Sequence, residues 1–248
     1  MILVMDCGNS AIKIGVYEND KIVSHYVMNT FRNRSIDEYA AHLKNVLKDI
    51  NIEGAIISCV VPLLTRVLCL AIKKAFNIVS LVVGKELKTK LPIKIDNPGE
   101  LGSDLLCGAV GAISKYKYPL LVADLGTATK LYVIDKNGNY IGGVITLGME
   151  GSLHALVENT SMLLEVPIVA PKHIISRNTK EAIQSGIVYG QAYMISEFAR
   201  RMEKELGYEL NRIVTGGYAP FIEDQIVCFH YEEYLVLDGL YKIYLLNK

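Results

Sequence analysis

The chain has 248 residues, of which 51% are hydrophobic and 21% are charged, so it can bury one large core or two modest ones. Its 26 basic and 26 acidic residues give a formal net charge of zero, and no overall field attracts nucleic acid or an anionic membrane. No apolar run reaches the roughly 18 residues that span a bilayer, and the N-terminus shows no signal-peptide pattern. We therefore expect a cytoplasmic protein with neither nucleic acid nor a membrane as its partner.

The first half of the chain is predicted to open with three strands and to continue as helix, strand, helix and strand. Ser35 and Glu38 have the spacing of a capping box, and the apolar residues after them recur at helical intervals. Pro62 suits the first turn of the next helix. A turn at residues 96–99 leads into a small-residue helix over residues 105–116. The predicted strands cover residues 1–5, 12–17, 21–26, 55–59 and 78–83.

The second half is predicted to begin near Pro119 with three further strands, the last over residues 141–145. A later strand over residues 212–215 ends in two glycines, and a short helix closes the chain. No long linker or low-complexity stretch interrupts the sequence. We therefore expect two tightly joined lobes, residues 1–118 and 119–248.

Two helices are predicted between these strands, over residues 150–164 and 179–206. Asn178 precedes the longer one, and the acidic residue three positions later completes a second capping-box pattern. Gly186 and Gly190 lie one turn apart within it. That spacing of small residues predicts close approach by another helix or by a ligand.

The five cysteines are scattered, odd in number and without a C-x-x-C pair. Such usage is typical of a reducing compartment and argues against a disulfide framework or a zinc site. The cysteines are Cys7, Cys59, Cys69, Cys107 and Cys228.

One phrase occurs twice, about half the chain apart: LVMDCGNSAIK at residues 3–13 and LVADLGTATK at residues 121–130. Each copy is an apolar strand, then Asp-x-Gly followed by Asn or Thr, then a second strand. A repeated unit indicates a duplicated architecture. Glycine in a tight turn lets backbone N–H groups approach phosphate, and a carboxylate at the strand end can hold a cation against it. Two such hairpins facing each other predict a nucleotide cleft between similar lobes.

The paired aspartates, Asp6 and Asp124, are the first candidates for this chemistry. A single Asp-x-Gly is more often a simple turn, but its duplication favours cation and phosphate handling. Lys13 suits neutralisation of phosphate charge, with a solvent-facing strand lysine as the equal alternative. The hydroxyl and amide of Thr127 suit phosphate oxygens, against a hydroxyl that bonds within its own turn.

Asp104 stands at the entry of the small-residue helix. A capping role explains it fully. A role as proton acceptor from a substrate hydroxyl during phosphoryl transfer explains it equally well. The residues alone leave both open.

The motifs together resemble the type III pantothenate kinases. The opening DCGNSAIK, residues 6–13, has that family's form, and the second hairpin, DLGTAT, matches its counterpart. The segment NPGELGSD, residues 97–104, looks like the family's Asn-Pro…Gly-x-Asp element. Further matches follow in order along nearly the whole chain: GGVI at 142–145, RNT at 177–179, AIQSG at 182–186, TGG at 215–217 and LDGL at 237–240.

The resemblance implies an α/β fold of the actin-like ATPase and sugar-kinase superfamily, with two duplicated ribonuclease H-like lobes. Each lobe would be a mixed sheet flanked by helices, with the nucleotide cleft between the lobes. The implied reaction is ATP-dependent phosphorylation of pantothenate, the first step of coenzyme A biosynthesis. Magnesium would accompany ATP, a monovalent cation (K⁺ or NH₄⁺) would also bind, and the enzyme would be a homodimer.

The resemblance also implies roles for single residues. Asp104 would be the general base, and Asp124 would bind the monovalent cation. ATP would contact Asp6, Cys7, Gly8, Asn9, Ser10, Ala11, Ile12, Lys13 and Thr127. Pantothenate would contact Gly102, Ser103, Asp104, Leu105 and Thr179.

Four positions depart from the family pattern. Leu105 stands where arginine usually follows Gly-x-Asp, and Ile95 stands where a tyrosine is usual; both positions touch pantothenate in the family. Arginine offers a fork of donors to a carboxylate, worth about 1.5–3 kcal/mol. Leu147 replaces a usual proline, and Lys130 replaces a usual small or hydroxylated residue.

These departures leave two alternatives beside pantothenate kinase. One is a kinase for a different small hydroxylated acceptor, because the acceptor-side residues have changed. The other is a nucleotide-binding regulatory homologue without turnover, since the family includes members described as transcriptional accessory factors.

Overall fold

Within residues 1–84 and 86–248, which the computed structural model describes, ten strands form two five-stranded mixed sheets. In each sheet, three antiparallel strands are followed by two parallel ones. The first sheet has the order β3-β2-β1-β4-β5 and the second the order β8-β7-β6-β9-β10. The strands are β1 (Ile2–Cys7), β2 (Ala11–Glu18), β3 (Lys21–Asn29), β4 (Gly54–Cys59), β5 (Leu81–Val82), β6 (Leu120–Leu125), β7 (Ala128–Ile134), β8 (Tyr140–Leu147), β9 (Asn211–Thr215) and β10 (Phe229–Tyr231).

Six α-helices flank these sheets in the described part of the chain. They are α1 (Ile36–Val46), α2 (Pro62–Phe76), α3 (Ser103–Lys115), α4 (Met149–Glu158), α5 (Thr179–Leu206) and α6 (Leu235–Asn247). The predicted capping box at the start of α1 is confirmed: Ser35 Oγ accepts from the Glu38 N–H at 3.3 Å, and Glu38 Oε2 accepts from the Ser35 N–H at 2.8 Å. None of the helices in residues 1–84 and 86–248 has both the length and the apolar character needed to cross a bilayer.

Helix α4 ends at Glu158, six residues before its predicted end. Polar side chains satisfy its last carbonyl groups and thereby end the helix. Asn159 Nδ2 donates to the Ala155 carbonyl at 2.8 Å, and Thr160 Oγ1 donates to the Leu156 carbonyl at 2.9 Å.

The chain divides into two compact units. The first contains Met1–Leu91, Asp96–Lys115 and Tyr234–Lys248, and the second contains Pro92–Ile95 and Tyr116–Glu233. The predicted boundary between residues 118 and 119 lies three residues from the end of α3. The C-terminal helix α6, which that boundary placed in the second lobe, packs in the first unit instead.

Each unit has its own core. In the first, alternate residues of β1, β2 and β4 pack against α1 and α2. In the second, alternate residues of β6 and β7 pack against the long helix α5. In both units the aspartate of the repeated hairpin belongs to the set of strand residues that face away from this core.

Two glycines let α3 and α6 pack closely within the first unit. A Cβ atom at Gly239 would lie 1.8 Å from the Cys107 carbonyl oxygen, and one at Gly111 would lie 2.1 Å from the Leu235 carbonyl oxygen. Both oxygens belong to helix backbone, which cannot move aside as a flexible side chain can. This contact explains why α6 joins the first unit.

Gly186 and Gly190 in α5 behave differently, because no described helix of this chain packs closely against them. A Cβ atom at either position would have no described atom within 4 Å. Their spacing alone did not distinguish a packing site from open space.

We predict that Gly239→Ala lowers the free energy of unfolding by about 1–3 kcal/mol, because the added methyl group overlaps helix backbone. Gly186→Ala is the matched control, and we expect it to be neutral or to stabilise by up to about 1 kcal/mol. Urea unfolding of the wild type and both variants measures the difference. A Gly239→Ala variant as stable as the wild type would contradict the packing described here.

Candidate functional site

The first repeated hairpin is a tight turn held by backbone and by β3. The Gly8 N–H donates to the Ala11 carbonyl at 2.9 Å. Thr30, the residue after β3, holds the turn, since its N–H donates to the Ser10 carbonyl at 2.9 Å and its Oγ1 donates to the Gly8 carbonyl at 2.8 Å. Asn9 and Ser10 are exposed at the tip. The hairpin therefore presents backbone and short polar side chains in a fixed shape.

Two of the predicted ATP-binding residues point away from the tip. The side chains of Cys7 and Ile12 are fully buried in the core of the first unit. Asp6 and Lys13 alternate with them and are cross-strand partners on the opposite face of β1 and β2. Asp6 and Lys13 are the two charged residues among residues 6–13, and both lie on the face of the sheet opposite to the core.

Asp6 lies in a row with residues from distant parts of the first unit. On the parallel neighbour β4, the residue beside Asp6 is Ser58. The Ser58 Oγ donates to Ser103 Oγ at 3.0 Å, which connects β4 with the first residue of α3. Asp104 follows directly. The predicted residues Asp6, Ser103 and Asp104 are thus brought together, with Ser58 as the connection between them.

The start of α3 fixes the Asp104 carboxylate. Its Oδ1 accepts from the Leu105 N–H at 2.9 Å. A Cβ atom at Gly102 would lie 2.6 Å from the same oxygen, so glycine at this position leaves room for the carboxylate. A negative charge in the first turn of a helix is favoured by the helix dipole.

Cys107, one turn further along α3, reports the shared environment of the two carboxylates. Burial raises the pKa of its thiol well above the usual value, and the charges of Asp6 and Asp104 raise it further, while a hydrogen bond with Ser58 acts in the opposite direction. Asp6, Ser58 and Asp104 therefore all act on one buried group. Sequence reasoning missed Ser58, although a serine within the apolar run of β4 was a usable signal.

The second hairpin is held by its own neighbours in the second unit. The Gly126 N–H donates to the Ala128 carbonyl at 3.1 Å. The Tyr218 N–H donates to the Leu125 carbonyl and the Gly148 N–H to the Thr127 carbonyl, both at 3.1 Å. Thr127 itself is exposed. The loops after β8 and β9 thus converge on this turn.

Asp124 repeats the arrangement around Asp6. Its cross-strand partner on β7 is Lys130, and its register partner on β9 is Thr215. Lys130 Nζ lies 2.9 Å from Asp124 Oδ2. Both side chains are mostly buried, with 16% and 12% of their surfaces exposed.

Thr179, predicted to contact pantothenate, is the exposed first residue of α5. The residue before it caps the helix, since Asn178 Oδ1 accepts from the Glu181 N–H at 2.9 Å. A cavity of about 910 Å³ in the second unit is lined in part by Arg177 and Glu181, which flank Thr179 along the chain. Lys172 and Arg177 both line this cavity, so its wall carries positive charge.

Among residues 1–84 and 86–248, no three His, Cys, Asp or Glu side chains are grouped closely enough to hold a metal ion by themselves. Single carboxylates such as Asp6 are a different case. Magnesium in kinases is usually held by one or two carboxylates together with substrate phosphates. The arrangement fits a metal that arrives with a nucleotide.

Comparisons with known proteins found similar chains over the full length of this one. The family model of type III pantothenate kinases matches residues 2–201. A type III pantothenate kinase from Exiguobacterium sp. is 37% identical over 254 residues and covers 100% of both chains. One from Bacillus cytotoxicus is 38% identical over 98% of this chain and 95% of its own.

Solved structures with low sequence identity show the fold. A Campylobacter jejuni protein assigned to the Baf family of transcriptional activators aligns with a TM-score of 0.61 at 20% identity, covering 97% of this chain and 96% of that one. MreB5 of Spiroplasma citri bound to ADP gives 0.54 at 11%, covering 98% and 95%. The inorganic polyphosphate/ATP-glucomannokinase of Arthrobacter sp. gives 0.53 at 12%, covering 98% of each chain. The predicted fold of the actin-like ATPase and sugar-kinase superfamily is confirmed.

Behind the first hairpin, on the core side of the sheet, Cys7 and Cys59 are register partners on β1 and β4. A hydrogen bond from Cys7 lowers the pKa of Cys59 below its usual value; burial acts in the opposite direction, and Thr65 and the Val61 backbone lower it further. The same bond raises the pKa of Cys7 far above its usual value. Cys59 is partly exposed, so its thiolate can meet a reagent.

We predict that the alkylation of Cys59 by iodoacetamide reaches its half-maximal rate at a pH below the usual thiol pKa, because the thiolate is the reactive form. Cys7→Ala removes the donor and moves this midpoint upward, towards the usual thiol value of about 8.5. Mass spectrometry of labelled peptides gives the rates, with Cys59→Ser as the blank. An unchanged midpoint in Cys7→Ala would show that the hydrogen bond does not set the reactivity of Cys59.

Proposed function

Because the chain belongs to the type III pantothenate kinase family, we propose that it transfers the terminal phosphate of ATP to the hydroxyl group of pantothenate, forming 4′-phosphopantothenate. The family inferred from the motifs is confirmed, and with it the class of enzyme, a phosphotransferase whose acceptor is an alcohol. The full-length relatives carry the kinase name, so neither a different acceptor nor a regulatory homologue is favoured.

The convergence of Asp6, Ser58 and Asp104 is the observation that carries the proposal. A hairpin with a phosphate-binding form and a candidate base at a helix start lie 98 residues apart in the sequence, and one serine connects their elements. A cap alone would not require this connection. The grouping supports a joint role for the hairpin and Asp104.

We assign the nucleotide to the two repeated hairpins, residues 6–13 and Thr127. Backbone N–H groups and short hydroxyl side chains suit phosphate oxygens, and Lys13 supplies a compact positive charge. Magnesium would be carried with the ATP phosphates, and we assign Asp6 as the carboxylate that would hold it. The ion would neutralise charge on the transferred group.

Asp104 is the proposed general base. The hydroxyl oxygen of the acceptor forms a bond to the terminal phosphorus while the bond from phosphorus to the bridging oxygen breaks, and ADP leaves with that electron pair. The hydroxyl proton passes to the Asp104 carboxylate. Gly102, Ser103, Leu105 and Thr179 are proposed to hold pantothenate.

The proposal extends to a homodimer in the cytoplasm. The family resemblance implies the dimer, and the five free cysteines suit a reducing compartment. Sedimentation of the purified protein measures its oligomeric state directly.

We predict that Asp104→Asn lowers kcat at least about 100-fold, because an amide cannot accept the hydroxyl proton. The fold should persist, since Asn has the same shape and the Leu105 N–H can still donate to its carbonyl oxygen. Mass detection of phosphopantothenate gives the rate, and the thermal melting temperature controls for stability. Wild-type turnover in this variant would remove Asp104 from the mechanism.

We predict that Leu105→Arg lowers the KM for pantothenate about tenfold, because the guanidinium restores a charge-assisted contact to a carboxylate. Leu105→Met, which keeps size and apolar character, is the control and should leave KM unchanged. Steady-state kinetics with pantothenate and with pantothenyl alcohol, which lacks the carboxylate, separate the effects. An equal gain for both acceptors would show that the arginine does not bind that group.

A further inference from the structure

Lys130 and Asp124 form a fixed ion pair in the second unit. The two residues are cross-strand partners on β6 and β7, with Lys130 Nζ 2.9 Å from Asp124 Oδ2. The flanking residues of β7 are anchored: Leu131 is in the core, and Thr129 Oγ1 donates to Gln191 Oε1 at 2.9 Å. Gln191 in turn donates to the Leu147 carbonyl at 2.9 Å. The strand that carries Lys130 is therefore held in position from its opposite face.

The pair is mostly removed from water. Only 16% of the lysine side chain and 12% of the aspartate side chain are exposed. A carboxylate in such surroundings needs a compensating positive charge and hydrogen-bond donors. The ammonium group supplies one full charge and three donors at a single point.

An alkylammonium group is chemically close to the ions that the family resemblance assigns to this carboxylate. Like K⁺ and NH₄⁺ it carries one positive charge, and its head has the tetrahedral nitrogen of NH₄⁺. A second monovalent ion bound to the same oxygen would lie within a few ångströms of the ammonium group and be repelled by it. The residues present at Asp124 therefore do not fit an additional K⁺ or NH₄⁺.

We propose that the Lys130 ammonium group replaces the monovalent cation at Asp124, so that this chain carries its cation as part of the polypeptide and does not require K⁺ or NH₄⁺. The proposal rests on the proposed kinase function. It makes Lys130 a positioning residue, which holds the charge of Asp124 and the second hairpin beside Thr127 without touching the transferred phosphate.

The first experiment compares initial rates in potassium-free tetramethylammonium buffer with rates in KCl or NH₄Cl at equal ionic strength. For the wild type we expect less than a twofold difference. For Lys130→Thr, which restores a hydroxylated residue, we expect a loss of at least about tenfold without K⁺ and recovery with K⁺ or NH₄⁺. Lys204→Thr, at an exposed lysine of α5, is the matched control and should behave as the wild type. Saturable activation of the wild type by K⁺ would overturn the proposal.

A second readout does not depend on turnover. The melting temperature of Lys130→Thr should rise with KCl above its value in tetramethylammonium chloride, because a bound ion stabilises the folded state. The wild type and Asp124→Asn/Lys130→Thr should show no such difference. A potassium-specific rise in the wild type would overturn the proposal even if Lys130→Thr failed to fold. If no kinase activity were found under any condition, the proposed function would fail, and the melting temperatures would still decide the cation site.

Discussion

Two buried carboxylates at the ends of β1 and β6 impose the main constraint on this protein. Each aspartate belongs to an otherwise apolar strand, where an uncompensated negative charge is costly. Each unit places the same types of residue beside its aspartate. A lysine on the antiparallel neighbour and a hydroxyl residue on the parallel neighbour flank the aspartate: Lys13 and Ser58 in one unit, Lys130 and Thr215 in the other.

The lysine, the aspartate and the hydroxyl residue make different contacts in the two units. In the first, Ser58 connects the row with the start of α3, which brings Asp104 into the arrangement. In the second, the lysine and the aspartate form a mostly buried ion pair. The duplicated backbone thus holds a proposed catalytic carboxylate in one unit and an ion pair in the other, so the two repeats differ in their side-chain contacts while they keep the same strand order.

The sequence predicted what depends on local pattern. The hairpins, the capping box at Ser35 and the bounds of α5 follow from turn residues, spacing and periodicity within short segments. Parallel pairing is not local, so the places of Ser58 and Thr215 beside the aspartates could not be predicted. The position of α6 in the first unit likewise depends on a contact between Gly111 and a helix more than 120 residues later.

The pairing of Lys130 with Asp124 could not be predicted from the sequence either. The first hairpin has one more residue than the second, so its lysine comes seven positions after the aspartate rather than six. Compared with the family, Lys130 looked like an isolated replacement. The strand register makes Lys130 the counterpart of Lys13, and the ion pair gives the replacement a physical meaning.

The most direct measurement of the central claim is mass detection of the product after incubation with ATP, magnesium and pantothenate. We expect phosphopantothenate and an equal amount of ADP. ADP without phosphopantothenate, or ATP binding with no product from pantothenate, would contradict it.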